Sequence, residues 1–144
     1  MRLWDYRLLK VLPDRFIISQ WRECIGIKRQ WEKGTLKHRL VSYVMDYDKE
    51  YFLNYTEMLL SEMIMRHIKF KIIYYQEIRK FCLNNNFPTI NKHYPEHNNR
   101  YLKQCLCNLQ EKYDRKIITK EEWDRIINSD VMKNINVETL LDWE

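Results

Sequence analysis

Two groups near the start of the chain have the types needed for nucleophilic and acid–base chemistry. One is the free α-amine of Met1, which opens the stretch Met1-Arg2-Leu3-Trp4. The other is the carboxylate of Glu23, preceded by Arg22 in Gln20-Trp21-Arg22-Glu23-Cys24. An amine and a carboxylate brought together beside a basic surface are the parts of one kind of nucleic-acid chemistry. The surrounding charge fits. Residues 1–40 hold ten Lys and Arg against four Asp and Glu, a net +6, whereas residues 41–144 hold fifteen against sixteen, a net −1. The excess of the whole chain, +5, therefore lies in its opening segment. Such a face suits a polyanion, DNA or RNA. The alternative is a solvated helix face.

The elements that must position these groups can be read from the pattern. Residues 1–12 carry Trp4, Tyr6, Leu8, Leu9, Val11 and Leu12, enough apolar surface to pin the amino terminus to a core. Pro13 suits the first position of a helix, and Asp14 suits the positive end of its dipole. That helix is predicted to reach Lys33 and to stop at Gly34. Ile17, Trp21, Cys24, Ile25 and Trp31 recur near helical spacing and form its buried face. Arg15, Arg22 and Arg29 recur every seven residues and fall close to one line, a track for phosphates. Glu23 sits beside the line, and Gly26 leaves an open notch near it. Glu23 and Glu32 are the acids within the stripe.

Beyond Gly34, residues 35–47 read as an irregular connection with some β propensity. Lys37, His38 and Arg39 add charge there. Asp48 can cap a second helix over 49–66, with Phe52, Tyr55, Leu59, Leu60, Met63 and Ile64 as core. His67, at its end, suits the helix dipole. A third helix spans about 72–84, with Tyr74, Ile78, Phe81 and Cys82 on one side, and ends at Asn84-Asn85-Asn86-Phe87-Pro88. Pro95 opens a fourth, running to about Tyr113, whose Tyr101, Leu102, Cys105, Leu106 and Leu109 are amphipathic. Glu96 and His97 at its start could contact DNA, support a site or simply belong to a cap region. Thr119-Lys120-Glu121-Glu122 is a capping box ahead of Trp123, Ile126 and Ile127. Asn136 can cap a last short helix with Val137, Leu140, Leu141 and Trp143. Residues 114–144 carry a net −3, which makes them a poor partner for phosphates.

The bulk numbers narrow the class. A chain of 144 residues has room for one core. Two glycines and three prolines leave little turn chemistry for a many-stranded sheet. Five Trp and ten Tyr supply core and surfaces on which bases can stack. There is no signal peptide and no run long enough to span a membrane. Cys24, Cys82, Cys105 and Cys107 show no C-x-x-C pairing and read as reduced thiols of a cytoplasmic protein. A zinc site with His93 or His97 has no supporting spacing. The fold expected is all-α, a compact single-domain bundle of irregularly packed helices. Its helical domain covers 1–113, and an acidic helical extension over 114–144 packs on it.

Three stretches in this order and spacing resemble a known family. They are Met1-Arg2-Leu3-Trp4, then Gln20-Trp21-Arg22-Glu23-Cys24, then Tyr94-Pro95-Glu96-His97 with the helix Tyr101-Leu-Lys-Gln-Cys-Leu-Cys-Asn-Leu109. Lys37-His38 and Tyr43-Val44-Met45-Asp46-Tyr47 join them. They are similar to the pyrimidine-dimer DNA glycosylases related to the bacteriophage endonuclease V, in particular the bacterial branch. The resemblance covers roughly 1–70 and 94–112. It implies an all-α repair enzyme that cleaves the glycosidic bond of a cyclobutane pyrimidine dimer and then breaks the strand as an abasic-site lyase. It implies the α-amine as nucleophile, through an imine, and Glu23 with Arg22 as the acid. An α-amine ordinarily titrates at about 7.7–8.0, so a fraction is neutral at pH 7. The resemblance further implies double-stranded DNA as partner, a monomer and no cofactor, with Arg2, Arg15, Arg22, Arg29, Lys37 and His38 on the DNA side. Where the phage enzyme presents a small residue after loss of methionine, this chain has Arg2, a bulky residue that normally blocks that loss, so Met1 is expected to stay and supply the nucleophile; were it removed, the Arg2 amine would take the role. The phage enzyme's aromatic, basic terminus is replaced by Leu-Leu-Asp-Trp-Glu. Two other readings stand beside this one, a non-catalytic nucleic-acid-binding helical protein and a helical interaction module.

Overall fold

A computed structural model describes residues 1–83 and 92–135. The described residues form an all-α fold of five helices joined by 3-10 turns, with no strand among them. They divide into two compact units, one of Met1–Leu3 with Asp14–Tyr94, the other of Trp4–Pro13 with residues from Pro95 onward.

The first unit is built on α1 (Asp14–Lys33), α2 (Lys49–Met65) and α3 (Ile72–Cys82), which pack pairwise on one another. α1 starts directly after Pro13 and ends at Gly34, whose φ of 73° is left-handed. Gly34 N–H donates to Trp31 C=O and Thr35 N–H to Gln30 C=O, the paired bonds that close a helix C-terminus. Ile17, Trp21, Cys24, Ile25 and Ile27 are buried on α1. Phe52, Leu53, Tyr55, Leu59, Leu60 and Met63 of α2 face them, with Ile78 and Cys82 of α3. Trp31 is half-buried and meets Phe52 and Phe81 edge-on, at ring separations of 5.8 and 5.3 Å. Leu3 is fully buried, so the chain's first residues are held.

Residues 35–47 form the irregular connection expected, and within it Ser42–Asp46 is a 3-10 turn anchored by buried Val41 and Val44. Isolated β propensity without a partner strand lost to these local apolar anchors. Ile64, expected in the core, is 55% exposed, because it lies at the edge of the α2 stripe in the last turn. Asp48 takes the N-cap position of α2, but its side chain accepts no capping bond. His67 ends α2 as a left-handed residue, φ 58°, in the same bonding pattern as Gly34.

In the second unit, Trp4, Leu8, Leu9, Val11 and Leu12 are buried around a 3-10 turn, Tyr6–Leu8. α4 spans Asn99–Asp114 and α5 spans Lys120–Ile127. α4 starts later than Pro95 because Asn98 caps it, its side chain accepting from Tyr101 N–H at 3.0 Å. Glu96 and His97 therefore precede the helix. The Thr119–Glu122 capping box forms in both directions. Asp5 is fully buried and takes a two-pronged bond from Arg7, Nε to Oδ1 and Nη2 to Oδ2, each 2.9 Å. The expected stop at Asn84–Pro88 and the last helix capped by Asn136 lie outside the described residues. No described helix is long and apolar enough to cross a membrane.

Candidate active site

The site begins with a backbone problem. The first residues, Met1 to Asp5, have no helix or sheet to hold them. Buried Leu3 supplies the apolar anchor, and Gln20 of α1 supplies the polar one. The Gln20 side chain is 1% exposed. Its Nε2 donates to the Arg2 carbonyl at 3.0 Å and to Glu23 Oε2 at 3.0 Å. Its Oε1 accepts from the Tyr55 hydroxyl of α2 at 3.1 Å. One amide thus ties the amino-terminal backbone, the carboxylate three residues along α1 and the neighbouring helix.

Glu23 is half-buried, and burial pushes its carboxyl above the ordinary carboxylate value. Three influences oppose that rise and do not overcome it: the charge of the α-amine, the Gln20 hydrogen bond and the charge of His38. The structure therefore brings the Met1 amine and His38 each within electrostatic reach of Glu23. The apolar surroundings of Glu23 prevail, and the charges that act against them come from the amine and His38, not from adjacent Arg22.

The basic residues divide by setting. Met1 is 43% exposed, and Arg15, Arg22, Arg29, Lys37 and His38 are exposed as well. Arg2 is half-buried, with its carbonyl held by Gln20. The Arg15 guanidinium lies over the Phe16 ring at 5.2 Å. Arg29 has an acid the sequence spacing did not reveal: Glu77 of α3 accepts its Nε at 3.1 Å and its Nη2 at 3.2 Å. The Arg29 hydrogen bond holds the Glu77 carboxyl below its ordinary value. Lys28, almost fully buried, also reaches Glu77, at 3.4 Å, and Glu32, at 3.1 Å.

Glu96 and His97 lie in the second unit. His97 is 6% exposed and stacked between Tyr6 and Tyr101, with ring separations of 6.2 and 5.1 Å. Its carbonyl accepts from Arg7 Nη2 at 3.4 Å, and Asn99 Oδ1 accepts from Arg7 Nη1 at 2.8 Å. Those contacts give His97 a packing role within its unit.

The thiols are unsuited to attack. Cys24, Cys82 and Cys105 are buried. Burial drives the Cys24 thiol far up and pushes Cys82 up to about 12. Gln20 and Tyr55 were the residues missed from sequence. Gln20 stands in the quoted motif, and its spacing of three from Glu23 puts both on one helix face, a usable signal. Nothing in the sequence pairs Tyr55 with it.

A family model described as pyrimidine dimer DNA glycosylase matches residues 1–76, just over half of the chain. The matched span contains α1, α2, the amine, Gln20, Glu23, His38 and Tyr55. No curated protein matches, and no solved structure matches. The amine, the raised carboxyl and the basic helix thus sit inside a match to one family, and the chain belongs to the pyrimidine dimer DNA glycosylases, DNA repair enzymes whose substrate is DNA.

Proposed function

We propose that the protein cleaves the glycosidic bond of a cyclobutane pyrimidine dimer and then cuts the strand as an abasic-site lyase, through an imine on the Met1 α-amine. The observation that carries this reading is the Gln20 bridge, which holds the Arg2 backbone and Glu23 together beside the amine. The neutral amine attacks C1′ of the damaged nucleotide. The C1′–N bond breaks, and its electron pair leaves with the base, which takes up a proton. Opening of the sugar ring then gives an imine between the amine nitrogen and C1′. The imine acidifies the C2′ hydrogen. Loss of that proton and departure of the 3′ phosphate break the strand, and water releases the amine.

Glu23 has two roles in this scheme. Its charge stabilises the positive sugar as the base departs, and it then relays protons. Burial raises its carboxyl above the ordinary value, which suits the proton relay. Arg2, Arg15, Arg22, Arg29, Lys37 and His38 are the candidates for holding phosphates, while bending of the duplex and displacement of a base bring C1′ within reach. Neither metal nor organic cofactor has a part in these steps.

Borohydride trapping tests the reading. With abasic-site DNA, reduction should yield a covalent adduct that peptide mass mapping assigns to Met1. An unblocked amine that gives no adduct, or an adduct on a lysine, refutes it.

A further inference from the structure

Resting on the proposed amine–carboxylate chemistry, we propose that Gln20 is a positioning residue. It sets the α-amine against Glu23 and reserves Glu23 Oε1 as the oxygen that carries the proton, with the Tyr55 hydroxyl fixing the orientation of its amide.

The argument is one of donors and acceptors. A primary amide offers two N–H donors on one side and one oxygen on the other. Here both donors have acceptors, the Arg2 carbonyl and Glu23 Oε2, each at 3.0 Å. The oxygen receives the Tyr55 hydroxyl at 3.1 Å. A flipped amide would set its oxygen against two further acceptors and its N–H groups against a donor. Tyr55 is 3% exposed and Gln20 1%, so water does not compete for either contact. Two consequences follow. The Arg2 carbonyl is five backbone bonds from the Met1 nitrogen, so fixing it restricts where the amine can stand. And Oε2 already faces an N–H, so a proton taken up by Glu23 goes to Oε1. Around the carboxylate stand the α-amine from the first residues, His38 from the segment after α1, and Gln20 and Cys24 on its own helix. Tyr55 of α2 acts on it through Gln20.

The test uses Gln20→Met, which keeps the length of the side chain without its hydrogen bonds, and Tyr55→Phe, which keeps the ring. Both are assayed as full chains on abasic-site DNA by borohydride trapping rate, KM and pH profile. Gln20→Met should trap roughly 10–100-fold more slowly at unchanged KM, the effect of losing one hydrogen bond to a charged group. The limb of the profile that follows Glu23, identified by its absence in Glu23→Gln, should move to higher pH, since a donor to the ionised form is gone. Tyr55→Phe should shift rate and limb the same way by less. Wild-type trapping at Met1 with rate and limb unchanged in Gln20→Met overturns the inference. If Gln20→Met does not fold, an unchanged rate and limb in Tyr55→Phe overturns it. Failure of the wild type itself to trap sinks the amine chemistry instead, a separable outcome.

Discussion

Replacing Glu23 by Gln should remove strand cleavage while leaving the fold intact and firmer. The substitution is nearly isosteric, and the new amide oxygen can still accept from Gln20 Nε2, now at 3.0 Å from Oε2. Lost are the negative charge and the ability to move a proton. A positioned acid–base group contributes about 10²–10⁴-fold, roughly 3–5 kcal/mol of barrier. Single-turnover cleavage of dimer-containing DNA should slow by that factor, with affinity retained. Stability should move the other way. Burial raises the Glu23 carboxyl in the folded state, so the native chain holds its proton more tightly than the unfolded chain. The stability this gives is fully present below the unfolded carboxylate value, about 4.3. It is lost as pH rises through the higher folded value. At pH 7 wild-type Glu23 is therefore a net burden that Gln does not carry. Denaturant titrations should find Glu23→Gln the more stable protein at pH 7 and the difference gone by about pH 4. Unchanged cleavage refutes the role of Glu23; a less stable variant at pH 7 refutes the primacy of burial over the amine and His38.

Two further outcomes follow from neighbouring contacts. If the α1 stripe holds phosphates, Arg22→Ala should lower the slope of log affinity against log salt by about 0.9, while Arg29→Ala lowers it less because Glu77 already engages that guanidinium; equal slopes for both contradict this. Arg7→Lys should destabilise by roughly 3 kcal/mol in urea titration, because an ammonium cannot reproduce the two-pronged bond to fully buried Asp5; a loss under about 0.5 kcal/mol would show the pair to be dispensable.

Much of the fold was legible because it rests on local signals. The stop at Gly34, the Thr119–Glu122 box and the amphipathic faces of α1 and α4 are each written within a few residues. Ile64 was misread because its burial is decided by distant packing, which periodicity does not encode. The site was legible in the same uneven way. Glu23 and the amine could be named from residue type, and the notch at Gly26 is open, with no atom beyond its chain neighbours and its own helix backbone within 4 Å of an added Cβ. The direction of the Glu23 shift could not be read, since Trp21, Cys24 and Arg22 argue both ways from sequence. The Arg29–Glu77 pair spans 48 positions and the Gln20–Tyr55 bond 35, separations that spacing rules do not reach.

The hold on Arg2 and Leu3 also makes the amine a matter of counting. With the Arg2 carbonyl bonded and Leu3 sealed in the core, the chain cannot slide to absorb a change ahead of them. Each residue added or trimmed there moves the terminal nitrogen by about 3.8 Å, more than the length of a hydrogen bond. A side chain can be exchanged without moving this nitrogen, whereas trimming by a peptidase or a one-residue extension shifts it while leaving every codon of the helices unchanged. If this amine is the nucleophile, its place depends on the handling of the first methionine as well as on the Gln20 contact that holds the backbone behind it.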